Sequence, residues 1–224
     1  MLLTVYSGAL LECRQVNMRK LALLVLSLLL LLTACSEQSA TTQKKKEPEK
    51  PPEPVTGLSA LYKMYQMVRT WDPRALVLKM ESMHSPDIPE IPGKAGVWGG
   101  TFVSSTQARS HSYTFSLIEQ LPSLHKGVFG VSDEAYAGPK GVTSPFLIQA
   151  VKADTDAAYE TAKSQPKAIE YDKKFPGKPI TILLEKNNRF PDPVWRIVWG
   201  ESTGTANFSV FIDASTGGFL EIMH

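Results

Sequence analysis

Two cysteines and four histidines hold most of the nucleophilic and metal-binding potential of these 224 residues. His84, His111, His125 and His224 are far apart in sequence. None has a second His or Cys at a metal-ligand spacing. His111 alternates with Tyr113 and Phe115, which gives it a structural reading as a strand residue. Acting with distant Asp and Ser residues, it is also the base around which an unrecognised hydrolase would be built. Asp154 and Asp156 stand just before a helical pattern, where a carboxylate caps free N–H groups more readily than it binds metal. Phosphate-loop, nucleophile-elbow and zinc-protease spacings are all missing, and Gly138-Pro139-Lys140-Gly141 does not make a phosphate loop. The residues therefore predict no catalytic centre, no metal and no cofactor.

The remaining reactive group is the Cys35 thiol. Met18-Arg19-Lys20 is a short cationic start, and Leu21 to Leu32 is apolar apart from Ser27. This is the layout of an export signal, and the apolar run is too short for a spanning helix of about 20 residues. Leu32-Thr33-Ala34-Cys35 resembles the lipobox of bacterial lipoproteins. The resemblance implies cleavage before Cys35 and diacylglyceryl transfer to its thiol, anchoring the chain in a lipid bilayer through acyl chains. Ser36, not Asp, implies the periplasmic face of the outer membrane if the host is Gram-negative. Residues 1–34 then form the signal, with Met18 as the expected start. An ordinary cleaved signal with an incidental cysteine is the other reading.

The chain carries 24 Lys+Arg against 22 Asp+Glu. Arg14, Arg19, Lys20 and Glu12 lie within residues 1–34, which leaves 21 charges of each sign beyond them. A nucleic-acid partner needs a basic footprint, and none is predicted. Lys44-Lys45-Lys46 is followed at once by Glu47, Glu49 and Glu53, so it reads as a solvated run. Residues 35–57 are rich in proline and charge, with too little apolar surface to offset ordering. They read as a lipidated, disordered tether.

The remainder reads as two similar halves. Helical spacing of Leu61, Tyr65 and Val68 ends at Asp72-Pro73, with Ser59 at the cap position. A second helix opens near Asp156, again a cap candidate. Tyr62 and Tyr159 are 97 residues apart, as are Trp98 and Trp195. The offset predicts a tandem duplication, with chance coincidence as the alternative. Alternation predicts strands at Leu76–Met80, with Leu76, Leu78 and Met80 on one face, and at Val97–Ser104 and Ser110–Leu117. In the second half, strands are predicted at Ile180–Leu184, Val194–Gly200, Asn207–Asp213 and Phe219–Met223. Residues Pro122 to Pro145 read as a glycine-bearing connector. The expected fold class is α+β, two helix-plus-antiparallel-sheet units over residues 58–143 and 144–224.

Residues 156–162 (DAAYETA), 175–185 (FPGKPITILLE), 193–200 (PVWRIVWG) and 208–222 (FSVFIDASTGGFLEI) resemble a PepSY-type domain. That resemblance implies a helix packed on an antiparallel sheet in a cystatin-like manner. Asp213, Thr216 and Gly217 match the family's final hairpin turn. It also implies an envelope or secreted location and binding or restraint of other proteins, and it supplies no catalytic residues. No peptidase domain follows, so a propeptide role is not expected. The resulting expectation is a non-enzymatic, membrane-anchored lipoprotein that binds an envelope protein. Its alternative is a carrier or sensor of a small apolar ligand or lipid in a helix–sheet cleft. Arg189, Phe190, Trp195 and Trp199 are the candidate binding surface. For the two tryptophans core burial is the preferred role, with an exposed aromatic groove as the competing one.

Overall fold

The computed structural model describes residues 52–139, 141 and 143–224. Val55–Thr56 (β1) leads directly into the helix Gly57–Trp71 (α1), so order begins before the expected end of the tether. Thr56, not Ser59, is the N-cap, and its side chain accepts from the Ser59 N–H at 3.4 Å. Ala60, Leu61, Met64 and Val68 form the buried stripe of α1, the three-and-four spacing of an amphipathic helix. Asp72 closes it, and Pro73 cannot continue it.

Three strands follow as an antiparallel meander: Leu76–Met83 (β2), Val97–Ser104 (β4) and Arg109–Ser116 (β5). Lys94–Ala95 (β3) pairs with β1 in a separate two-stranded ribbon. A bulge between Val77 and Lys79 breaks the simple alternation of β2. Val77, Met80 and Ser82 are its buried residues, correcting the predicted face of Leu76, Leu78 and Met80. The supposed connector contains a fourth strand, Gly127–Ala135 (β6), paired with β5. Its glycines and its acidic end hid the strand pattern.

Thr155–Lys163 (α2) is capped by Asp154, not Asp156. Pro166 then starts a separate helix, Pro166–Lys174 (α3), at the one helical position where a missing N–H costs nothing. Four strands complete the chain as a second meander: Ile180–Glu185 (β7), Val194–Trp199 (β8), Ser209–Asp213 (β9) and Phe219–Met223 (β10). Asp213 Oδ1 accepts from the Ser215 and Thr216 N–H groups at 2.7 and 3.0 Å, which shapes the last hairpin.

The class is α+β. The two meanders join edge to edge, because β2 pairs antiparallel with β7, Met80 opposite Leu184. One eight-stranded sheet results, in the order β10-β9-β8-β7-β2-β4-β5-β6. The halves are thus not separate bodies. A single core runs under both, from Leu61, Met64 and Phe102 to Trp195, Ile197 and Ile212.

Candidate functional site

The first candidate is a cleft beside the join of the two meanders. The segment from Ser82 to Gly96 bends over the sheet, and its Pro-rich part packs Ile88 against Gly96. Ile88 is only 7% exposed. Tyr159 of α2 and Ile180 and Ile182 of β7 complete an apolar wall around about 230 Å³. Lys94 and Lys178 contribute cations to the lining. His84 is pinned at both ring nitrogens, Nδ1 to Glu90 Oε1 and Nε2 to Thr181 Oγ1, each at 3.0 Å. Thr181 spends its one hydroxyl proton on the Gly200 carbonyl at 2.7 Å, so Nε2 must donate to it. Ser85 Oγ, in the same wall, is shielded and has no hydrogen-bond partner among the described residues. Among the described residues no hydrogen bond joins Ser85 Oγ to His84.

The second candidate is the loop Arg189–Pro193. Trp195 and Trp199 are 0% and 1% exposed, which removes both from any binding surface. Their face of β8 is the core face, and each indole N–H is already used. Trp195 donates to the Ala153 carbonyl at 2.8 Å and Trp199 to Asp172 Oδ1 at 2.7 Å. Arg189 and Phe190 lie on the other face of the sheet, against Phe211 of β9. The Arg189 guanidinium sits 5.2 Å from the Phe211 ring centre and pairs with Glu221. Arg196 also lies over that ring, at 5.4 Å, and bonds to Ser209 Oγ. Arg196 alternates with Trp195 and Trp199 along β8 and so faces away from them, over the same Phe211 ring as Arg189.

The third candidate is the outer edge of the sheet. Among the described residues β6 pairs only with β5, at one end of the strand order. Phe129 and Val131 on it are 46% and 58% exposed. Val131 falls at a register shift opposite Ser112 and Tyr113. Asp133 is tied to Arg109 at 2.7 Å, and this bond lowers the Asp133 pKa against the opposing effect of burial. The signal for this strand was present as Val128-Phe129 and Val131, β-formers packed into a glycine-rich stretch.

His111 stacks on Tyr113 at 4.5 Å and meets the Trp71 edge at 5.4 Å. Its Nδ1 is buried without a partner among the described residues. Asp133 lies opposite it in the register of β5 and β6 but pairs with Arg109, and no hydrogen bond links His111 to an Asp, Ser or second His among the described residues. No group of three or more His, Cys, Asp and Glu side chains close enough to hold a metal ion occurs among the described residues. No helix among them is long and apolar enough to cross a membrane. Cys35 lies outside the described residues.

No protein-family model and no curated protein matches the chain. One solved structure, a Clostridium difficile 630 protein provisionally classed as a lipoprotein, aligns with 78% of this chain and 95% of its own. The identity is 9% and the TM-score 0.37, too loose a likeness to carry a shared fold or role.

Proposed function

We propose that this chain is a non-enzymatic envelope lipoprotein, anchored through acylated Cys35, whose folded part binds another envelope protein by accepting an extended strand on β6. The supporting observation is the longer of the sheet's two edge strands, nine residues against the five of β10, with Phe129 and Val131 at its exposed surface. A strand edge offers unpaired N–H and C=O groups, and natural proteins usually blunt such edges. Partner strands use them for main-chain bonds and take specificity from side-chain contacts. The apolar half of β6 is followed by the acidic Glu134, Asp133 being paired with Arg109, so the fitting partner is an apolar segment with a basic residue beyond it.

Two tandem PepSY-like copies are part of the same reading. A helix followed by a four-strand meander occurs in each half. Trp98 and Trp195 each occupy the second meander strand and are fully buried. The Trp195 indole N–H bonds to the Ala153 carbonyl, and that of Trp98 is shared between the carbonyls of Ala95 at 3.1 Å and Val55 at 3.3 Å; Val55 and Ala153 are the corresponding acceptors. Each of these residues stands two positions before the first residue of its helix. Duplication of one unit gives this correspondence directly. Tyr62 and Tyr159 differ, one 46% exposed and the other 7%, as drift between copies allows.

The test places a photo-crosslinking residue at Val131 and, separately, at the exposed Lys174 on α3, in cells that make the full-length protein. A discrete protein adduct at Val131 and none at Lys174 is expected. Equal labelling at both sites, or none at Val131, removes β6 as the partner surface.

A further inference from the structure

We infer that the cleft between the Ser85–Pro92 loop and β7 is a binding site for a small carboxylate carrying a short apolar tail, independent of the strand edge. Its volume, about 230 Å³, equals roughly eight waters at about 30 Å³ each. That is below the roughly 300–1,000 Å³ of drug-sized sites, which suits a small ligand. A group of six to eight heavy atoms fits, by the same rough water-volume measure. The walls divide by chemistry. Ile88, Ile180, Ile182 and the Tyr159 ring receive an apolar group, whereas Lys94 and Lys178 provide positive charge. Neither lysine takes part in an ion pair among the described residues. Glu90, the one carboxylate in the wall, is engaged by His84.

The net charge of the lining therefore favours an anion, and charge-assisted bonds from ammonium to carboxylate are the strong kind. A phosphate is served less well. It needs many converging N–H donors, and Pro89 and Pro92 remove two from the loop. A carboxylate with an apolar tail has two natural sources, a free short-chain acid or the C-terminal residue of a peptide. Both present the same chemistry to this cleft.

The experiment follows the isoleucine methyl resonances of the full-length protein in nanodiscs. The probes are 4-methylpentanoate, a peptide ending in a free leucine carboxylate, and the same peptide as its C-terminal amide. Saturable shifts confined to the cleft isoleucines Ile88, Ile91, Ile180 and Ile182 are expected from one or both carboxylates. Response to the acid alone identifies a metabolite site, and response to the peptide alone identifies a chain-end site. The amide, and either carboxylate with the Lys94→Gln/Lys178→Gln variant, should bind about tenfold or more weakly for the loss of charge-assisted bonds. Neither lysine side chain makes a hydrogen bond among the described residues, so the variant remains folded. No saturable shift from either carboxylate, or equal binding of the amide, or undiminished binding to the lysine variant, overturns the proposal. A negative result here leaves the strand-edge experiment unaffected.

Discussion

The backbone N–H of Gly57 donates to Thr155 Oγ1 at 2.8 Å, where the N-termini of α1 and α2 meet over the middle of the sheet. Thr155 passes its own proton to the Gly93 carbonyl at 2.6 Å, and the neighbouring Asp154 carboxylate accepts from the Leu58 N–H. One helix therefore caps the other. A Cβ at residue 57 would lie 2.5 Å from Thr155 Cγ2 and 2.9 Å from Trp195 Cη2, so only glycine fits. Gly57→Ala should cost about 1–3 kcal/mol through overpacking. Thr155→Val should cost a similar amount, about 1–3 kcal/mol, by stranding the buried N–H and carbonyl. Thr155→Ser, which keeps the hydroxyl, should be milder than Thr155→Val. Urea denaturation of the three variants checks the order; a Gly57→Ala protein as stable as wild type would mean the helix ends are free to separate.

Asp72 predicts an acid limb in stability. It is 4% exposed and accepts from Ser104 Oγ, the Arg74 N–H and Thr106 Oγ1. The Ser104 and Arg74 bonds, chiefly, lower its pKa below the ordinary 3.8, with burial opposing them. A carboxyl whose folded pKa is depressed contributes stability that is complete above its unfolded value and is lost as pH falls through the folded one. Asp72→Asn should therefore lose about 1.5–3 kcal/mol at neutral pH. The gap from wild type should be constant above about pH 5 and narrow below pH 4, near the unfolded value. Melting curves across pH 2–7 decide this, and a gap that stays constant down to the lowest pH would exclude Asp72 as the titrating group.

The two tryptophans should be energetically alike. Trp98→Ala and Trp195→Ala each empty a fully buried site, and each should cost about 3–5 kcal/mol. Tyr62→Ala should cost far less than Tyr159→Ala, because Tyr62 faces solvent. Chemical denaturation of the four variants measures both comparisons. A large gap between the tryptophan variants would count against equivalent halves.

Anchoring is tested at the thiol. Cys35→Ser removes the acylation site, so the protein should leave the membrane fraction or remain unprocessed. Membrane-bound, normally cleaved mutant protein would end the lipoprotein reading.

The isolated half, residues 144–224, is expected to fold less stably than the intact chain. Cutting the chain exposes the β7 edge that β2 covers and removes Gly57 and Leu58 from Thr155 and Asp154. Circular dichroism and a shallow, low-temperature melt would agree; a half as stable as the whole would mean that the join contributes little.

Local pattern alone determined much of this molecule. Alternation located β4, β5 and the four strands of the second meander, and the Asp213 to Gly217 run specified a tight hairpin. Repeated Tyr and Trp spacings directed attention to two halves. These signals are short-range, because side-chain period reports which residues share a face within one element. They do not report what covers that face. Tertiary structure alone placed Trp195 and Trp199 inside and left Arg189 and Phe190 outside, since opposite faces of one strand look equally apolar in sequence. It also made β6 a strand, although its glycines break the pattern, because pairing with β5 supplies the hydrogen bonds that propensity does not. The union of the meanders through β2 and β7, and the cleft beside it, depend on residues about a hundred positions apart, such as Ser82 and Ile182. Contacts at that separation carry no periodicity, so only the folded chain could reveal them.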